Sequence, residues 1–142
     1  MCIVCRWNSG EEKIDLNIEK LICSGCTALT SIPELPKLEL LHCNHCTALT
    51  SIPVLPELTQ LVCYGCTALT RIPVLQKLEM LSCCDDCTAL TSIPVFPKLE
   101  ELDCWRCTAL TSIPAMPKLR LIDCGGCTAL TSILVMGELK EL

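Results

Sequence analysis

A repeated string of eight residues constrains this chain more than any other feature. The string CTALTSIP, or a close variant of it, begins at Cys26, Cys46, Cys66, Cys87, Cys107 and Cys127. Successive copies are 20, 20, 21, 20 and 20 residues apart, and the one extra residue falls within residues 83–87. Self-similarity at such a short period predicts a solenoid, in which each repeat is one turn that stacks on the next.

The pattern within one repeat predicts its local structure. Residues 38–57 read LELLHCNHCTALTSIPVLPE, and Leu41 and Cys43 alternate there with a polar residue, as a half-buried strand requires. Pro53 and Pro56 lack an amide donor and have a restricted φ, so a central strand or a long helix is excluded at those positions. Each repeat is therefore predicted to be a strand, a turn and an extended, polyproline-like return.

This pattern resembles the leucine-rich-repeat family over residues 18–142. The family signature LxxLxLxxCxxL fits all six copies, with cysteine at its third inward leucine position. The short period and the IPxLP return are similar to those of bacterial type III secreted effectors and of cysteine-containing arrays in large DNA viruses of amoebae. The resemblance implies a β-rich solenoid with a parallel β-sheet on the concave face, extended convex returns and little or no helix. It also implies a role in protein recognition.

Both ends depart from the repeat. Cys2 and Cys5 precede Cys23 and Cys26 by 21 residues, so residues 1–17 are predicted to be a degenerate first turn that serves as an N-terminal cap. The array of residues 18–142 then comprises six repeats and the start of a seventh strand at residues 139–142. An exposed strand edge above an apolar core favours pairing. This predicts a homo-oligomer formed through the C-terminal edge, unless the chain is cut from a longer array.

The cysteines allow more than one interpretation. The resemblance places the second cysteine of each pair where the family has a buried asparagine, and small buried thiols at both positions would form a structural ladder. The ladder comprises Cys23, Cys26, Cys43, Cys46, Cys63, Cys66, Cys83, Cys87, Cys104, Cys107, Cys124 and Cys127. This interpretation needs no cofactor. The alternatives are zinc or an iron–sulfur cluster held by the CxxC pairs, or some disulfides.

Charge and cysteine content indicate a compartment and exclude some partners. The chain has 11 basic and 16 acidic residues, a balance that does not suit nucleic acid. Its apolar runs are shorter than the roughly 20 residues of a membrane-spanning helix. The first residues lack the pattern of a signal peptide, and the fifteen cysteines are an odd number. We therefore expect an intracellular, reducing compartment, which would be host cytoplasm or a virion if the chain is viral.

The positions that vary between repeats are predicted to form the binding surface for a protein partner. They are His42, Asn44, His45, Tyr64, Asp85, Asp86, Asp103, Trp105, Arg106 and Asp123. Tyrosine, tryptophan and arginine are the types most enriched at binding hot spots. The alternative interpretation is that these outward positions vary without a function.

The sequence contains no recognisable catalytic arrangement, such as a Ser/His/Asp set, a phosphate-binding glycine loop or HExxH. We predict a non-catalytic protein-binding or scaffolding module whose partner is unknown. One alternative is a metal-binding or redox-active thiol solenoid. The other is a structural protein that assembles through its uncapped ends.

Overall fold

The computed structural model describes residues 2–11, 13–83 and 86–134 of the chain. In this part of the chain a short N-terminal helix precedes a series of short strands. Helix α1 spans Ile3–Asn8, and the strands are β1 (Lys20–Ile22), β2 (Leu40–His42), β3 (Gln60–Val62), β4 (Met80–Ser82), β5 (Glu101–Asp103), β6 (Ser112–Ile113), β7 (Leu121–Asp123) and β8 (Ser132–Ile133). No helix among these residues is long and apolar enough to cross a membrane.

The strand that opens each repeat joins a parallel six-stranded sheet in the order β1-β2-β3-β4-β5-β7. In each of these strands the central residue is buried and both neighbours are more exposed. The central residues align in one row, which consists of Leu21, Leu41, Leu61, Leu81, Leu102 and Ile122. The extra residue falls within residues 83–87, after β4, and β4 and β5 pair in register. The predicted β-rich parallel solenoid is confirmed.

The returns of the repeats are extended, and only a few of their residues pair. Strands β6 and β8 form a separate two-stranded parallel sheet, and Ser51 makes an isolated bridge to Arg71. The sequence did not predict this second pairing. It arises because extended backbones in successive turns lie side by side, so peptide groups that align can form hydrogen bonds. Thr131 adds a side-chain bond of the same kind, donating from Oγ1 to the carbonyl of Thr111 at 3.2 Å.

Apolar side chains from the sheet and from the returns meet in one continuous core. In the second repeat, Leu41 on the strand and Leu49 and Leu55 on the return are fully buried. The column that contains Leu55 is occupied in the five described turns by Leu35, Leu55, Leu75, Phe96 and Met116, and all of them are buried. The core therefore tolerates a change of side-chain size from turn to turn but remains apolar.

The N-terminal segment, which was predicted to be a degenerate turn or cap, contains helix α1 in place of a strand. Val4 and Cys5 of this helix are buried against the core, and Trp7 packs on it while partly exposed. A helix satisfies its backbone hydrogen bonds internally, so it can cover the end of the array without a preceding strand. The predicted seventh strand at residues 139–142, and the self-association inferred from it, lie outside the described residues.

Candidate functional site

From the second repeat onward, the second cysteine forms a hydrogen bond to a backbone carbonyl of the preceding turn. The Cys66 thiol donates to the carbonyl of Cys43 at 3.0 Å, and the Cys46 thiol donates to the carbonyl of Cys23 at 3.2 Å. The same bond recurs at Cys87, Cys107 and Cys127, with distances of 3.0–3.1 Å. A cysteine thiol thus donates to a backbone acceptor of the neighbouring turn.

The first cysteine of the pair lies inside the core in the middle turns. Cys43, Cys63 and Cys83 are fully buried. A hydrogen bond with the second cysteine of the next turn, together with burial, raises the pKa of each of these thiols well above its ordinary value. These thiols therefore remain protonated and behave as small apolar side chains.

Burial of the ladder predicts a strong difference in thiol reactivity. Eleven of the described cysteines are buried, whereas Cys2, Cys124 and Cys127 are partly exposed. Among the described cysteines of reduced, metal-free protein, we expect a chromogenic disulfide reagent to modify these three partly exposed thiols first. The buried thiols should react at least ~100-fold more slowly, because local opening must come first. Mass-spectrometric mapping of the modified residues over time checks this, and uniform rapid modification of the native protein would contradict it.

The residue before the second cysteine of each pair has a left-handed backbone in all six turns. Three of these positions are glycines, namely Gly25, Gly65 and Gly126, with φ between 69° and 73°. The other three are His45, Asp86 and Arg106, with φ of 55°, 69° and 57°. A side chain in this conformation is disfavoured by roughly 1–2 kcal/mol, because its Cβ approaches the following carbonyl oxygen. Three of the predicted surface residues therefore occupy positions where glycine fits better.

Side chains from these turns lie over glycines of the next turn. The His45 ring occupies the space that a Cβ on Gly65 would need. Trp105 lies over Gly125 in the same way, with its Cδ1 only 2.7 Å from the position of a Cβ there. These glycines leave room for the aromatic side chains to rest on the neighbouring turn.

The structure brings several predicted surface residues together in two clusters. In the first, the rings of His45 and Tyr64 meet edge to face, with centroids 5.0 Å apart. In the second, the guanidinium carbon of Arg106 lies 5.2 Å from the ring centroid of Trp105, which is a cation–π distance. The carboxylate of Asp103 accepts a hydrogen bond from the backbone N–H of Trp105 at 3.2 Å and thereby orders this turn.

Asn44 departs from the predicted exposure, because it is only 7% exposed. Its backbone carbonyl accepts a hydrogen bond from the Gly25 N–H, and the neighbouring His45 N–H donates to the carbonyl of Tyr64. Turns on both sides thus cover this short side chain. Its Oδ1 atom has no hydrogen-bond partner among the described residues. Asn44 is therefore unsuited to partner contact. Of the two predicted aspartates in the fourth turn, Asp86 is exposed and Asp85 lies outside the described residues.

The sheet face carries a second outward column that the sequence analysis missed. The residue before each central strand position also faces outward, and this column comprises Lys20, Leu40, Gln60, Met80, Glu101 and Leu121. The alternation that predicts His42, Asp103 and Asp123 to face outward also predicts this second column. In a strand, the residue two positions before an outward residue faces the same side of the sheet. Only the column after the central residue was considered.

The outward residues of β4, β5 and β7 line a depression of about 470 Å³ on the sheet face. Met80 and Leu121 supply its apolar side chains and have Glu101 between them, and Asp103 and Asp123 form an acidic rim along one side. We call these five residues the acidic depression. At its edge, Arg120 forms an ion pair with Glu100 at 3.5 Å. The depression therefore combines apolar area with carboxylates and has an acidic rim along one side.

Comparison of the chain with protein-family models, with curated proteins and with solved structures finds no match. The assignment of the fold therefore depends on the repeat spacing and on the parallel sheet. The chain is a cysteine-rich parallel β-solenoid. The solenoid has about six turns, and its outward sheet columns are the surface on which residues differ most from turn to turn.

Proposed function

We propose that the solenoid is a non-catalytic, protein-binding module of leucine-rich-repeat type, with its binding site on the concave sheet face. The observation that carries the proposal is the acidic depression over β4, β5 and β7. Its volume of about 470 Å³ accommodates one or two side chains of a partner. The partner is accordingly a basic protein segment with an apolar side chain among its Lys or Arg residues.

The chemistry of the depression supports this class of partner. Met80 and Leu121 offer apolar area whose burial favours association by about 25 cal/mol per Å². Glu101, Asp103 and Asp123 attract a basic segment and disfavour an acidic one, so they supply specificity and association rate more than affinity. Apolar and charged side chains occur together in this way in many protein interfaces.

The strained turn beside the depression supports the same location. Arg106 has a left-handed backbone, which favours glycine. The equivalent position in the next turn is Gly126, so glycine is accepted at this position of the repeat. Residues in disfavoured conformations cluster at functional sites, where the side chain serves a purpose that glycine would not. Trp105, which is 39% exposed and in contact with Arg106, provides an amphipathic surface next to the acidic rim.

A random-peptide display selection against the full chain tests the proposal. We expect the enriched peptides to contain Lys or Arg on both sides of an apolar residue. The double variant Asp103→Asn/Asp123→Asn removes two rim charges and should lower the affinity for an enriched peptide about tenfold. Raising the salt concentration should also weaken binding, because the rim is exposed and its charges are screened. Isothermal titration calorimetry measures both effects.

The matched control is Glu19→Gln/Glu39→Gln, which removes two exposed carboxylates at the other end of the array. This variant has the same change in net charge, so it should bind the peptide within about twofold of the unchanged chain. Equal losses in the two variants would show a general charge effect and no site at the depression. Enrichment of peptides without basic residues would contradict the proposed partner class.

A further inference from the structure

Three thiols converge where the N-terminal helix meets the first turn of the solenoid. Cys2 and Cys5 lie three residues apart at the start of α1, so they face the same side of the helix. Cys26 is the second cysteine of the first repeat. The Sγ atoms of these three residues all lie within 4.8 Å of one another.

This group differs from the ladder that follows it. Along the ladder, each second cysteine donates to a backbone carbonyl of the preceding turn, as Cys46 does to Cys23. At the N-terminal end the Sγ atoms of Cys5 and Cys26 are 2.8 Å apart. Carbon atoms pack at about 3.5–4.0 Å and sulfur is larger, so these two sulfurs are closer than packing between neutral thiols allows. Core packing alone therefore does not explain the arrangement.

The separations suit a thiophilic cation. Zinc–sulfur bonds of about 2.3 Å put tetrahedral sulfurs roughly 3.8 Å apart, and small side-chain rotations bring the three thiols to that spacing. We propose that Cys2, Cys5 and Cys26 bind one divalent cation of the zinc class through three thiolates. Binding forms three metal–sulfur bonds and releases to solvent each proton that the thiols still carry.

The fourth coordination position is open to solvent. Beside the thiols lies a cavity of about 470 Å³ lined by Cys2, Ser24, Gly25, Cys26, Thr27 and Ala28. Among the described residues no other Cys, His, Asp or Glu joins the group of three. Closed structural zinc sites have four protein ligands, whereas three ligands and an open position leave room for water or an incoming ligand. The site accordingly accepts an exogenous ligand, such as a small thiol, from the cavity.

The protonation of the three thiols is compatible with cation binding. Burial alone would raise the pKa of Cys26, but hydrogen bonds from Cys5 and Cys2 lower it below its ordinary value. Burial and the hydrogen bond with Cys26 raise the pKa of Cys5 to about 12. Cys26 therefore loses its proton more readily than Cys5, and the cation must displace the proton of Cys5. Cation affinity should rise with pH, because binding releases protons.

A metal titration of the full chain tests the inference. The protein is reduced with a phosphine, freed of metal with a chelator, and titrated with Cd²⁺ while the sulfur-to-metal charge-transfer absorbance is recorded. Zn²⁺ is then added as a competitor. We expect one equivalent of metal per chain with both cations and a higher melting temperature in their presence. If the reduced chain binds no metal, the inference is overturned. This holds also if the oxidised protein contains a Cys5–Cys26 disulfide, because the disulfide would then explain why the two thiols are close.

Two serine variants localise the site. Cys2 is partly exposed, so Cys2→Ser should fold normally and lower the Cd²⁺ affinity at least tenfold. Cys124→Ser removes a partly exposed thiol at the other end of the array, and its affinity should match that of the unchanged chain. Unchanged affinity in Cys2→Ser, or an equal loss in Cys124→Ser, would overturn the assignment. Circular dichroism confirms that each variant is folded before titration.

Discussion

Replacing Phe96 by alanine is expected to lower the free energy of unfolding by about 3–5 kcal/mol. The ring is fully buried in a column that contains leucine or methionine in the other described turns. Turns on both sides are fixed by the parallel sheet, so the core cannot collapse around the cavity that alanine would leave. Urea unfolding followed by circular dichroism measures the loss.

Two variants control for this result. Phe96→Leu restores the side chain found at most equivalent positions and should cost only ~1 kcal/mol, because most of the buried volume is retained. Val95→Ala alters the preceding residue, which is 48% exposed, and should change stability by no more than about 0.5 kcal/mol. A Phe96→Ala loss as small as that of Val95→Ala would show that the return does not pack as described.

Gly65→Ala is expected to be the next most destabilising of these substitutions and to lower the free energy of unfolding by roughly 2–5 kcal/mol. A φ of 69° disfavours any Cβ by about 1–2 kcal/mol. The new methyl group would also occupy the space of the His45 ring, which must move from its contact with Tyr64 at a further cost of about 1–3 kcal/mol. Chemical unfolding of the variant measures the sum.

A double-mutant cycle separates the two causes. His45→Gly removes the ring and relieves a left-handed backbone, so this single change should alter stability by less than about 1 kcal/mol. In the His45→Gly background, Gly65→Ala should lower the free energy of unfolding only by the cost of the left-handed backbone. The coupling energy is therefore expected to be about 1–3 kcal/mol, as is usual for residues in contact. Additive effects would contradict the contact between the two turns.

The repeat predicted most of the architecture because its constraints are local and occur six times. Alternation around Leu41 indicated a strand, and Pro53 with Pro56 indicated an extended return. Stacking identical units at a fixed spacing leaves a parallel sheet as the simple way to pair those strands. The second outward column could have been found by the same reasoning, since Met80 and Leu121 lie two residues before Ser82 and Asp123.

The left-handed turn column was partly visible in the sequence. Glycine occurs at three of its six positions, but His45, Asp86 and Arg106 obscure the requirement at the others. The burial of Asn44 was not predictable, because it depends on hydrogen bonds between its turn and the turns on either side. The neighbouring Tyr64 and Trp105 occupy equivalent positions and remain more exposed, because their longer side chains extend beyond the turn.

The sequence alone determined that this chain is a stacked array of short strands, because every repeat carries the same pattern of buried and proline-restricted positions. It also identified the cysteines as paired columns. Only the tertiary structure decided where chemistry is concentrated, since both candidate sites are formed by residues that different turns bring together. The acidic depression needs three strands in register, and the Cys2, Cys5 and Cys26 cluster needs α1 folded back on the first turn. Such proximity depends on packing between units, which no pattern within a single repeat encodes.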